Sequence, residues 1–386
     1  MFSLVPFVLV ANPKNIKDSL NSVNQWKSPS DDIMNIMNAP KLPRAWASPG
    51  GSHMLLIDPI LYPPLSDLAA PMHKLAGIRV NPQNNFYQNW RSITKNPRII
   101  RISDGKVIPI DIPENIEIVD VVWNASGNSF ALSIKYPDRI GLIVVTIEGV
   151  VKKIEDISLN HLISKAVSWL PDQKRLLINR IPIRGDVPKP PKRPIGPKIL
   201  ESSGASERST YEARNLLETA YDDKLFDYYT KSELIVLDPG TGNIQVIGEP
   251  DYYRIAKFSP DGLYILVKRL VKPWSHEVTL TRFASEIEVW NKNGELLSKI
   301  ASLPIADQVP VRGVPIGPRA FSWQSTAPHT LLWIEALDGG DPMAKVSHRD
   351  KLMTLSAPFS SNPKEVFKAK HRIYGKSWFE KGEILI

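Results

Sequence analysis

One pattern recurs along the chain: an aromatic residue, a short polar turn, then a run of apolar residues. It appears as Trp46-ASPGGSHMLLI, Trp123-NASGNSFALSI, Trp169-LPDQKRLLI, Phe258-SPDGLYILV, Trp323-QSTAPHTLLWI and Trp378-FEKGEILI. A repeat on this scale constrains the fold strongly, because each unit must bury its faces against its neighbours. The Ser/Pro/Asp/Gly clusters are turn chemistry, and the Leu/Ile/Val runs behind them have strand length. Each unit therefore opens with a hairpin whose second strand is expected to be buried on both faces. A second hairpin follows in five units, at Ile99–Ile110, Gly141–Ile154, Glu233–Ile247, Ile287–Ile300 and Leu352–Phe367. Two hairpins make one four-stranded antiparallel sheet.

The shortest interval between aromatic anchors, Trp123 to Trp169, is 46 residues, near the roughly 40–50 residues of a bare propeller blade. The expected fold is all-β: a β-propeller of four-stranded antiparallel blades with small helical insertions. A β-sandwich with coincidental hairpins is the alternative. The sixth unit reaches Glu383–Ile386 without a second hairpin, so about five and a half blades are expected, an incomplete ring. Open strand edges and an uncovered apolar face then predict self-association or a partner.

Proline supports many short elements: 34 of 386 residues, nearly twice the average usage of about 5%. Three segments interrupt the repeat. Leu65–Ala76 reads as a short helix, Pro182–Pro197 as an extended proline-rich stretch, and Ser209–Tyr229 as one or two helices with Thr210 as cap. The chain divides into Met1–Ala11, an N-terminal extension over 12–40, and the propeller over 41–386 with insertions at 61–90 and 181–230. Met1–Ala11 has the length of a signal-peptide core without its basic flank. It reads as a signal remnant, with a buried N-terminal strand as the alternative, so the expected location is exported and periplasmic or else soluble and intracellular. No run is long and apolar enough to span a membrane as a helix.

The net charge is +8, yet the densest basic cluster, Lys189, Lys192, Arg193 and Lys198, is diluted by prolines. It reads as a solvated loop, and nucleic acid is not an expected partner. With no cysteine, disulfides, thiolate metal sites and thiol nucleophiles are excluded. Gly50-Gly51-Ser52-His53-Met54 lacks the closing glycine of a nucleophile elbow. Gly240-Thr241-Gly242 lacks the third glycine of a dinucleotide fingerprint, and His276-Glu277 lacks the second histidine of a zinc motif, Leu280 standing there. Asp338-Gly339-Gly340-Asp341 lacks the alternating oxygen ligands of a calcium loop. No metal and no cofactor are expected.

Longer strings carry a resemblance. Leu68-AAPMHKLAGIRVNP, Arg184-GDVPKPPKRPIGPK, Tyr221-DDKLFDYY, Lys272-PWSHEVTLTRFASEIEVW, Leu303-PIADQVP, Gly317-PRAFSWQ and Leu337-DGGDPMAKVSHRD resemble the glutamyl endopeptidase-like branch of the prolyl oligopeptidase family. The resemblance runs from about Ala39 to Ile386 and implies that family's N-terminal propeller. It also implies a partner, an α/β-hydrolase domain carrying a Ser-His-Asp triad that this sequence does not contain. The propeller would then be a non-catalytic portion of a serine endopeptidase, gating peptide substrates with Glu before the cut bond. A stand-alone propeller that binds protein or peptide is the other reading. A Glu carboxylate would need a cation, and arginine offers a bidentate fork. Arg79, Arg282 and Arg319 lie in the family-like strings and are the candidates, with structural pairing to insertion carboxylates as the alternative for each. Thr281 and Ala284 flank Arg282 where the family pattern leads one to expect proline, which weakens that candidate.

Overall fold

The computed structural model describes residues 29–60, 62–88, 93–113, 116–192, 196, 213–379 and 382–386. Met1–Ala11 and Thr210 lie outside the described residues. The chain divides into two units, Met1–Leu42 and Pro43–Ile386. In the first, the described structure is one helix, Asp31–Met37, with two acids in its first turn.

The second unit is a β-propeller. Its first blade is built from Arg44–Ala47, His53–Pro59, Thr94–Arg101 and Val107–Ile108, and its second from Glu117–Trp123, Ser129–Lys135, Ile140–Thr146 and Val151–Ile154. A single pair, Thr94↔Ile118, joins these two into one eight-stranded sheet. The third, fourth and fifth blades are separate four-stranded sheets. They comprise Val167–Trp169, Leu176–Arg180, Ser232–Leu237 and Ile244–Asp251; then Tyr253–Phe258, Tyr264–Leu270, Ser285–Asn291 and Leu296–Leu303; then Pro318–Trp323, Thr330–Ala336, Asp350–Ser356 and Lys364–Ala369. Ser377–Trp378 and Ile384–Leu385 form a two-stranded sixth sheet. Every neighbouring pair within a blade is antiparallel.

The core lies between blades. Leu55, Ile57 and Ile99 of the first blade meet Phe130, Leu132, Ile143 and Val145 of the second. Leu142 and Val144 meet Leu176, Ile178 and Ile235 of the third. Leu234 and Val236 meet Ile265, Val267 and Trp290 of the fourth, and Leu266, Ile287 and Val289 meet Leu331, Trp333 and Met353 of the fifth. Sheet faces packed on sheet faces in sequence order are what a propeller requires and a sandwich does not. The second strand of each hairpin is buried on both faces in the four middle units, as in Ser129–Lys135. In His53–Pro59 burial alternates; among the described residues one side of that strand packs against the second blade.

The aromatic anchors also bond across blades. The Trp169 indole N–H donates to the Val122 carbonyl, and the Trp323 indole N–H to the Lys257 carbonyl, both at 2.8 Å. In each case the acceptor immediately precedes the anchor of the preceding blade, so the repeat is pinned in register.

Two expected helices differ in the structure. Within Leu65–Ala76 only Leu65–Ala69 is helical. His73–Leu75 is a strand pairing with Ile78–Asn81, since Pro71 cannot donate within a helix and Ala76 and Gly77 both adopt positive φ. The later helix spans Ala220–Thr230, capped by Thr219 with a reciprocal capping box to Asp222.

Candidate functional site

In a four-stranded antiparallel blade, the connections from strand two to three and from strand four to the next blade leave by the same edge. All large insertions are of these two kinds: residues 60–93, 181–231, 271–284 and 337–349 link second to third strands, and 304–317 links the fourth blade to the fifth. Their described residues therefore gather on one rim, opposite the short Ser/Pro/Asp/Gly turns. The described residues of the strings that carry the family resemblance lie on this rim or run from it along a blade strand.

The insertions from three blades share one core. Leu75, Ile78 and Val80 from the first, Leu225, Phe226 and Tyr229 from the third, and Trp274, Leu280 and Phe283 from the fourth pack together. Phe226 meets the Trp274 ring edge-on at 5.0 Å, and Trp274 stacks on Phe283 at 5.6 Å. Asp227 ties the cluster by accepting from the Tyr252 hydroxyl at 2.8 Å, the Trp274 indole at 2.8 Å and the Lys272 ammonium at 2.5 Å. Burial, together with the Asp227 carboxylate, raises the Tyr252 phenol well above its usual range. Gly77, at φ +95°, lies so close to Thr279 that an added Cβ would sit 2.9 Å from its side chain. The Leu280 amide donates to the Ala76 carbonyl at 2.9 Å, locking the first and fourth insertions together.

Beside this cap, between the fourth and fifth blades, lies a cavity of about 420 Å³. Its walls are apolar, including Phe283, Leu303, Ile305 and Phe321, and its cations are Lys268, Arg282 and Arg319. The structure thus brings two of the three candidate arginines together. Arg79 lines a different cavity of about 750 Å³, beside Asp67 and Glu117, acids that oppose binding of another carboxylate there. These two acids also hold Lys135 at 2.8 and 2.7 Å.

Arg319 belongs to a chain of charges. Its Nη2 lies 2.5 Å from Asp350, whose carboxylate also accepts from Arg372 at 2.6 Å and from the Ile373 amide at 2.7 Å. Arg372 continues to Asp338 at 2.6 Å, and Arg349 closes the chain on Asp338 at 2.9 Å. Burial opposes ionisation of Asp338, but Arg372 and Arg349 outweigh it and hold the carboxyl below its usual range. Arg319 thus has a structural pairing, yet its Nη1 is buried without a hydrogen-bond partner.

Lys376 and Arg254 stand next to the lining cations Arg319 and Lys268. Lys376 donates to the Ala320 carbonyl at 2.5 Å; burial and the adjacent Arg319 charge pull its pKa down to about 8. Lys268 is lowered by burial and by Arg254, and Arg254 itself donates to the Ile163 carbonyl at 2.7 Å. A readable signal points to part of this set. Lys165, Arg254 and Arg319 each stand four residues before an aromatic anchor, Trp169, Phe258 and Trp323. In the fourth blade a bulge between Tyr253 and Ile255 leaves Arg254 outside the ladder, and another follows Arg319, the kind of irregularity that re-aims side chains. No cluster of metal-ligating residues occurs among the described residues, and no described helix is long and apolar enough to cross a membrane.

With this geometry in hand, comparison with known proteins is decisive on ancestry. The chain is 31% identical over 380 residues to a probable chloroplastic glutamyl endopeptidase of Oryza sativa subsp. japonica. It is 33% identical over 379 residues to the corresponding protein of Arabidopsis thaliana. The chain is a homologue of the glutamyl endopeptidases. In both comparisons 94% of the chain is covered, while it spans only 40% and 39% of those relatives' length. No protein-family model matches. Among solved structures, Pyrococcus horikoshii acylaminoacyl peptidase is 12% identical at a TM-score of 0.42, over 84% of this chain and 39% of that one. The β-propeller domain of the Trilobed protease from Pyrococcus furiosus is 10% identical at 0.41, over 84% and 72%.

Proposed function

We propose that this homologue of the glutamyl endopeptidases is the non-catalytic propeller portion of a serine endopeptidase. Its insertion rim faces an α/β-hydrolase domain supplied in cis or in trans and governs which peptides reach the nucleophile. The observation that carries the reading is spatial: the strings resembling the family are scattered from Leu68 to Asp350 in sequence, yet their described residues lie on one rim or run from it along a strand. Arg282 and Arg319 line a cavity there. Their guanidinium groups match a substrate carboxylate in charge and hydrogen-bonding geometry, which supports a preference for Glu.

The test joins this chain to the part of the rice relative that lies outside the matched region, fused or mixed, and measures kcat/KM on matched Glu and Gln peptides. The reading expects Glu selectivity to rise over that of the added part alone, and the chain by itself to take no label from a serine-directed fluorophosphonate. Labelling with turnover by the chain alone overturns the non-catalytic assignment. Unchanged selectivity in an active, correctly assembled fusion overturns the gating role and leaves a stand-alone binding propeller.

A further inference from the structure

Cations at the cavity between the fourth and fifth blades outnumber what a single substrate carboxylate needs. Lys268, Arg282 and Arg319 line it; Arg254 is close enough to depress Lys268, and Arg319 to depress Lys376. Among the described residues no carboxylate forms a salt bridge with Arg254, Lys268 or Lys376, while Asp307 is the acid lining the cavity and Asp350 sits behind Arg319. Like charges gathered in partly desolvated surroundings work against folding. The fold has other ways to fill these positions, as the apolar interfaces between the remaining blades show. Such a cluster is explained when a ligand supplies the missing negative charge.

We infer that this cleft binds an acidic peptide segment carrying at least two carboxylates, one engaging Arg319 and the next reaching the Lys268 side. This deepens the proposed substrate-admitting role, because it specifies acidic residues beyond the one at the cut bond. Two features favour a peptide over a small inorganic anion. The cavity of about 420 Å³ is in the range of pockets that enclose sizeable ligands, far above what one ion occupies. Its walls also include Phe283, Leu303, Ile305 and Phe321 beside the cations, surfaces that suit the aliphatic stems of Glu and neighbouring apolar side chains. Arg319, which lines the cavity and whose Nη1 is a buried donor with no partner of its own, is the anchor.

The experiment measures binding to the chain itself, by fluorescence anisotropy at low and high salt. The probes are a labelled peptide with two Glu residues, its two-Gln counterpart, and inorganic polyphosphate as competitor. The two-Glu peptide is expected to bind at least about ten-fold tighter than the two-Gln peptide, as charge-assisted hydrogen bonds are lost. Lys268→Met and Lys376→Met are each expected to weaken it by roughly five-fold or more, and added salt to weaken it further. Arg319→Lys, which keeps a cation for Asp350, guards against a folding failure and is expected to weaken the two-Glu peptide while leaving the two-Gln peptide unchanged. Lys299→Met, on the outer strand of the fourth blade, is expected to change nothing. Equal binding of the two peptides, no detectable binding by folded chain, or full affinity in both lysine variants overturns the inference. Tighter binding of polyphosphate than of the peptide overturns the peptide assignment. Because no catalysis is read, failure of the gating role leaves these outcomes interpretable.

Discussion

Replacing Asp350 with Asn is expected to cost far more than its single atom suggests. The carboxylate is fully buried and accepts from Arg319, Arg372 and the Ile373 amide at 2.5, 2.6 and 2.7 Å. Its two arginines are themselves only 15% and 8% exposed. The amide removes the negative charge and turns one acceptor into a donor aimed at other donors. Arg372 keeps Asp338, but Arg319 is left as a cation with no counter-charge. Breaking a buried pair from one side costs about 3–5 kcal/mol, a large share of a total stability of about 5–15 kcal/mol. The comparison variant is Lys299→Met, which removes an ion pair to Glu286 whose lysine is 52% exposed and is expected to cost at most about 1 kcal/mol. Urea unfolding followed by both tryptophan fluorescence and circular dichroism gives the two values at a common slope. If Asp350→Asn lies within about 1 kcal/mol of the parent, or no further from it than Lys299→Met, the charge chain does not hold the fifth blade as described.

Three further outcomes follow. The Nε2 of His161 is buried without a partner, and burial, with the Lys165 charge, pulls its pKa down to about 4. The unfolded chain therefore binds more protons between about pH 6.5 and 4. Its contribution is complete above that window and is lost as pH falls through it, up to about 3 kcal/mol; a His161→Gln variant with an unaltered slope of stability against pH would refute this. Gly77→Ala is expected to destabilise by about 1–2 kcal/mol, because φ +95° and the Thr279 contact both oppose a Cβ; a thermal midpoint equal to the parent's would contradict it. Asp227→Ala leaves the Tyr252 hydroxyl and the Trp274 indole without their shared acceptor, a loss of about 2–3 kcal/mol. Amide exchange should rise across 220–230 and 272–283 in that variant, and unaltered exchange would separate Asp227 from the cap.

The blades were legible because their signals are local. An aromatic, a Ser-Pro-Asp-Gly turn and a strand-length apolar run lie within about a dozen residues, and all five second hairpins appear where the pattern puts them. The cap was less legible because its order comes from distant partners. His73–Leu75 sits in a sequence with helical composition, yet its pairing with Ile78–Asn81 and its packing against Phe226 and Leu280 draw it into a strand. The segment 271–284 did not stand out as an insertion, since nothing in its composition shows that Trp274 and Phe283 are destined for a core formed by three blades. The site was partly readable. Arg282 and Arg319 were singled out by their strings and share a cavity, but the link of Arg319 to Asp350, 31 residues away, has no local signature. The recurring cation four residues before an anchor was present in the repeat and needed only a register comparison of the units.

Hydrogen exchange of the chain with and without a saturating two-Glu peptide tests the central claim most directly, that the insertion rim meets the substrate. Protection is predicted at 279–285, 304–321 and around Lys376, with no change in the opposite turns at 48–52, 124–128, 171–175, 259–263 and 324–329. Protection of those turns, or none at the insertion rim despite measured binding, would contradict it.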